Sequence, residues 1–125
     1  MKRTAIAMAV VAASASPALA DSDTSQLLIV WGAGNSTCAR YVDAAKAGRA
    51  ASLPYEQWLD GYITARNQTN PDVLDYAGAV ERQELLAWLA RFCGERPNGK
   101  FYEAADTLLT DLVKTGRVKY SKTAR

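Results

Sequence analysis

The stretch Leu85-Leu86-Ala87-Trp88-Leu89-Ala90-Arg91-Phe92-Cys93-Gly94 decides the fold. Leu85, Trp88, Leu89 and Phe92 fall at i, i+3, i+4 and i+7, which is one face of a helix, with Cys93 beside them. Glu81, Arg82 and Arg91 fall on the wet side. The spacing predicts a helix from Val80 to Cys93. Gly94 suits its C-terminus, and Arg96-Pro97-Asn98-Gly99 reads as a turn.

Downstream, Phe101, Ala105, Leu108, Leu109 and Leu112 lie at i, i+4, i+7, i+8 and i+11 and predict a last helix from Lys100 to Val113, ended by Gly116. Upstream, Ser52 is suited to cap a helix with Pro54 in its first turn. Tyr55, Trp58, Leu59, Tyr62 and Ile63 form its wide apolar stripe. Gly61 sits inside that helix at a cost of about 1 kcal/mol relative to alanine, for which close packing against a neighbour is one reason. Asn67 to Pro71 ends it, and 72–80 is ambiguous, with a helical turn as one reading. A further helix is expected from Thr37 to Lys46, capped by Ser36, with Cys38, Tyr41, Val42 and Ala45 on one face and Gly48 as its stop. Gly32-Ala33-Gly34-Asn35 is a breaker. Leu27-Leu28-Ile29-Val30-Trp31 is too short to assign by period: a short strand, a helical turn, or an arm docking on the core or on a partner. Four amphipathic segments with short connections give an all-α class, a small four-helix bundle after a short N-terminal apolar segment.

The two ends of the chain have different compositions from its body. Lys2 and Arg3, the uncharged run from Thr4 to Ala15, and Ala18-Leu19-Ala20 have the layout of a secretory signal peptide cleaved after Ala20. Its apolar part is short of the roughly 20 residues a bilayer span needs, and no second apolar run follows. The expected organisation is a signal peptide (1–20), an N-terminal segment (21–35), a helical domain (36–113) and a basic tail (114–125), in an exported, periplasmic chain. In that compartment an even cysteine count reads as a disulfide, and Cys38 with Cys93 allows one connectivity. The bridge closes a loop of about 56 residues, worth roughly 4 kcal/mol in the loop-entropy account.

The 15 basic and 13 acidic residues are unevenly placed. Lys2 and Arg3 belong to the leader. Lys114, Arg117, Lys119, Lys122 and Arg125 belong to a tail without any acid. The remaining eight bases face all 13 acids, so residues 21–113 carry a charge of −5. A mature chain near neutrality argues against general nucleic-acid binding. With no histidine, Ser-His-Asp triads, Cys-His pairs and imidazole metal ligands are excluded. Glu56 with Asp60, and Asp72 with Asp75, are carboxylate pairs of a kind that helix surfaces carry in abundance. Asp72, Asp75 and Glu81 do not make a calcium loop. Gly32-Ala33-Gly34 lacks the strand–loop–helix setting of a phosphate loop. Asn35-Ser36-Thr37 and Asn67-Gln68-Thr69 match the glycosylation acceptor pattern. No catalytic residue, metal site or cofactor is therefore expected. Tyr55, Trp58 and Tyr62 are candidates for a partner anchor, since aromatics dominate interface hot spots, although a core-facing stripe has the same spacing. The basic tail is a candidate contact for anionic lipid, peptidoglycan or an acidic partner.

Thr37-Cys38-Ala39-Arg40-Tyr41-Val42, the central Trp58, and the run from Trp88 to Phe101 resemble the HdeA/HdeB-type periplasmic acid-stress proteins. Those share a Thr-Cys-x-x-aromatic-aliphatic start, a second cysteine closing a helix, and a polar turn leading to an aromatic. The resemblance spans about residues 36–112. It implies a disulfide-clamped chaperone, dimeric at neutral pH, that opens in acid and holds unfolding clients. Composition is compatible: little charge change is expected between about pH 5 and 8, whereas below about pH 4 the carboxylates protonate and the charge of the mature chain climbs toward +13. The segment Trp58-Leu59-Asp60-Gly61-Tyr62-Ile63 is instead similar to that of type VI amidase immunity (Tai) proteins, whose further cysteines this chain lacks. That likeness implies an inhibitor of one secreted peptidoglycan amidase, with 67–79 as its contact segment. Replacing Cys93 by serine should cost a few kcal/mol of stability. An unchanged denaturant midpoint would show that no bridge is made.

Overall fold

The computed structural model of the protein describes residues 29–122. Residues 1–28, with the expected signal peptide and the start of the Leu27–Trp31 run, and residues 123–125 lie outside the described residues. Four helices dominate: α1 (Cys38–Ala47), α2 (Arg49–Thr69), α3 (Arg82–Glu95) and α4 (Phe101–Lys114). A 3-10 turn, Gly32–Asn35, precedes α1. Two short strands, β1 (Val73–Asp75) and β2 (Lys119–Tyr120), pair antiparallel with an irregular register. The class is largely all-α, with this one small sheet as an addition.

Helix ends follow local chemistry more closely than the sequence pattern indicated. Thr37, not Ser36, caps α1, its hydroxyl accepting from the Arg40 amide at 3.4 Å. The Ser36 carbonyl accepts instead from the Phe101 amide at 2.9 Å. Gly48 has φ +113°, which lets the chain pass from α1 directly into α2. α2 therefore begins three residues before Ser52 and leaves Pro54 inside the helix. The Ser52 hydroxyl, no longer a cap, donates to the Glu56 carboxylate at 3.0 Å. Gly94 lies within α3, which runs on to Glu95.

The disulfide joins Cys38 to Cys93 with their Cα atoms 4.7 Å apart. Around it the start of α1 is stitched to the α3–α4 turn: the Cys38 amide donates to Gly99 at 2.8 Å and the Ala39 amide to Pro97 at 3.0 Å. Both sulfurs are buried in a core that α4 fills with Phe101, Ala104, Ala105, Leu108, Leu109 and Leu112. The Phe101 ring is its aromatic centre, 4.7 Å from Tyr41, 5.1 Å from Tyr55 and 5.9 Å from Trp58. α3 adds Leu85 and Leu89, while Trp88 and Phe92 are half-buried and stack on each other at 5.0 Å. On α1, Ala45 is exposed, and the inward face is Cys38 and Tyr41 flanked by Val42.

Two expectations for the connecting segments are corrected. Residues 72–80 hold a strand, not a helical turn. Asn67 Oδ1 accepts from the Tyr76 amide, and Asp75 Oδ1 accepts from the Ala77 amide and from Asn67 Nδ2, so side chains replace helical backbone bonding there. The segment after α4 is not merely a tail. Gly116, at φ +68°, turns the chain back, Val118 is buried, and β2 pairs with β1. At Gly61 a Cβ would meet nothing within 4 Å. Close packing within the chain therefore does not explain it. Gly61→Ala should stabilise the protein by about 1 kcal/mol, read as a rise in urea midpoint. A loss of stability would contradict the open surroundings.

Candidate functional site

The i, i+4, i+8 spacing of Trp58, Tyr62 and Arg66 lines three large side chains along one side of α2. The Trp58 and Tyr62 rings stack at 5.2 Å and 11°. The Arg66 guanidinium lies 6.0 Å from the Tyr62 ring centre and 5.7 Å from that of Tyr76, within cation–π range. α4 supplies the polar anchor: Asp106 accepts from the Tyr62 hydroxyl at 2.7 Å and from Arg66 at 3.1 Å. Burial, and then the Asp106 acceptor, push the Tyr62 phenol up to about 12. Tyr62 therefore stays protonated and donating throughout the neutral range.

The N-terminal segment closes this row. The Trp58 indole N–H donates to the Trp31 carbonyl at 2.8 Å. A Cβ built on Gly34 would lie 2.2 Å from two carbons of the Trp58 ring. The 3-10 turn can lie on that ring only because residue 34 has no side chain. The result is a mainly apolar groove of about 680 Å³ between α2, α4 and residues 29–31. Trp31, 81% exposed, and Ile29, 76% exposed, stand at its edge. Tyr102 and Glu103 complete the α4 side.

Trp58 and Tyr62, two of the three aromatics singled out by sequence, thus line the groove. Tyr55 does not: it is buried between Tyr41 and Phe101. Trp31 belongs to the Leu27–Trp31 segment that the sequence left open as strand, helical turn or docking arm; Gly34, Arg66 and Asp106 were missed as site residues. The continuing i+4 repeat could have found Arg66; no local signal pairs Asp106 with it.

A second, smaller cleft of about 300 Å³ lies between α1, α2 and α3. The Glu56 carboxylate is buried there, held by Ser52 and, at 3.4 Å, by Arg82. Arg82 gives its two shorter bonds, 2.7 and 3.1 Å, to Asp60, and this pairing is the main reason its guanidinium is held above the ordinary arginine value. Burial, followed by the Glu56 charge, pushes the Tyr41 phenol up to about 12. Glu56 and Asp60 thus form an arginine clamp between α2 and α3. Asp75 is spent on loop bonds, and Asp72 offers its carbonyl to the Ser121 amide at 3.0 Å. Of the two glycosylation-pattern asparagines, Asn67 has its side chain committed to the 75–76 loop, while Asn35 is exposed. Among the described residues no cluster of three potential metal ligands occurs, and no helix is long and apolar enough to cross a membrane.

The fold and groove define a largely all-α, single-disulfide domain with an aromatic surface channel. No family model, curated protein or solved structure matches the chain.

Gly34→Ala should force the Trp58 ring aside and break its bond to Trp31. Overpacking of this kind costs about 1–3 kcal/mol. A lower denaturant midpoint with a shifted tryptophan emission is expected; wild-type stability and spectrum would refute the close approach.

Proposed function

We propose that the chain is an exported protein-binding protein without a reaction of its own, and that it acts as an HdeA-like acid-stress chaperone. The observation that carries this reading is how the elements are tied together. Among the described residues, each ion pair between elements sets an arginine against a carboxylate: Arg66 with Asp106, Arg82 with Glu56 and Asp60, and Arg117 with Glu84. Arginine keeps its charge at any relevant pH, and the disulfide does not titrate. Acid therefore removes one half of every such tie while leaving the covalent clamp.

Glu84 supplies the sign. The Arg117 hydrogen bond holds its carboxyl below the ordinary value of 4.5. Its contribution is thus complete above 4.5 and lost as pH falls through the lowered folded value. Exposed pairs contribute little individually. The larger effect is collective, as the 13 basic residues left after removal of Lys2 and Arg3 with the proposed leader lose their acidic counterparts and repel. Apolar surface is then uncovered in a chain that the disulfide keeps compact.

A second reading, an immunity protein blocking a secreted peptidoglycan amidase, draws on a different observation. Trp31 stands exposed on a backbone pinned by Trp58, which suits a preorganised hot spot. The 67–79 segment is similarly pinned by Asn67 and Asn70 and exposes Leu74.

Under the chaperone reading, binding of an apolar dye should rise between pH 7 and about pH 2–3, together with suppression of aggregation of unrelated proteins. A flat dye response refutes it. Tight neutral-pH binding to an amidase encoded beside this chain, abolished by Trp31→Ala, would favour the second reading.

A further inference from the structure

The acidic body and basic tail seen in the sequence meet in the fold. After Gly116, residues 115–122 run back over the bundle as a strap. The Arg117 amide donates to the Leu112 carbonyl at 2.8 Å, and the Arg117 guanidinium binds both oxygens of Glu84 on α3, one at 2.9 Å. Val118 is buried in the same cluster as Val73, Tyr76, Leu85 and Leu112. Lys119 is the ladder partner of Asp75, and its stem and the Asp75 side chain both lie against Gly78. Ser121 donates its amide to the Asp72 carbonyl.

The charges on the two sides are complementary. The strap carries Arg117, Lys119 and Lys122, with the phenol of Tyr120. Beside it are Glu84 from α3, Asp111 from α4, whose charge acts on Arg117, and Asp75 of β1, whose side chain meets the Lys119 stem at Gly78; Lys114, at the end of α4, and Arg66, over the Tyr76 ring, are like charges near the seat. The apolar hold is small by comparison: one buried valine and a two-residue strand.

We propose that residues 115–122 form an acid-released strap, and that the β1 edge and apolar seat beneath it then take an extended apolar segment of an unfolding polypeptide in place of β2. Protonating Glu84, Asp111 and Asp75 discharges the seat while the strap keeps its three positive charges. The helices, fixed by the disulfide and by Phe101, outlast it. An incoming strand finds the backbone groups that β2 had used, as in recognition by strand addition. The strap's release stands by itself; the client's place rests on the chaperone reading.

The test uses the full chain with its disulfide intact. Hydrogen exchange of the Arg117 and Ser121 amides, corrected for intrinsic rates, is followed from pH 7 to pH 2 beside amides of α2 and α4. The strap should lose protection at a higher pH than the helices. Simultaneous loss, or a strap protected down to pH 2, overturns its release. Glu84→Gln should speed strap exchange at pH 7 about two- to fivefold, the range expected for an exposed ion pair, leaving the helices unchanged; no change overturns the latch. Val118→Asp, with its helical content checked by circular dichroism, should free the strap at neutral pH and bind carboxymethylated lactalbumin, a permanently unfolded protein, which the wild type should not bind at that pH. If that variant does not fold, Glu84→Gln carries the same binding test. A freed strap without lactalbumin binding overturns the seat as the client site and leaves the release standing. A wild-type strap that opens in acid without suppressing aggregation overturns the chaperone reading alone.

Discussion

The bond between Cys38 and Cys93 is the constraint on which the other contacts depend. It lies where the first residue of α1, the last turn of α3 and the turn into α4 converge. The three backbone hydrogen bonds that join residues 36–39 to 97–101 are short-range ties across a long loop, and the disulfide removes most of the entropic cost of bringing those segments together. With that corner fixed, Phe101 begins α4 with its ring already among Tyr41, Tyr55 and Trp58. The small core, in a domain of this length, leaves little margin without such a staple.

Outside the core, arginines organise the surface. Arg66 binds α2 to α4 while lying between two tyrosine rings, and Arg82 binds α3 to two successive carboxylates of α2. A planar guanidinium suits both tasks, since it stacks and forks at once. α2 is thereby gripped on two sides, by Arg82 on one and by the stacked Trp58–Tyr62–Arg66 row on the other. The aromatic channel follows from that row: it is the surface left where α2, α4 and the segment before α1 do not quite meet.

What could be read from the chain beforehand divides along the range of the interactions. The α4 face was legible in Phe101, Ala105, Leu108, Leu109 and Leu112, which repeat at helical spacing and are each buried, while Ala104, buried beside them, lay outside that repeat. The disulfide was legible from the even cysteine count together with the expectation of export. The start of α2 was not, because Gly48 at positive φ joins two helices that the Ser52 and Pro54 signals seemed to separate. The small sheet was not, because Val73 and Tyr120 are distant in sequence and neither strand is long enough to show alternation. Trp58 and Tyr62 stood out as aromatics, but the groove around them needed Gly34 and Asp106, whose roles exist only in three dimensions.

One consequence of the disulfide reaches beyond stability. Residues 38–93 form a covalent ring that contains all of α1, α2 and β1. The exposed residues Pro71, Asp72, Ala79 and Glu81 lie inside it. An endopeptidase that severs the backbone at one of these positions opens the ring without dividing the molecule, and the two fragments stay tethered at the corner where the helices pack. A nicked copy thus remains a single particle, and within the ring a second cut is needed to set a piece free.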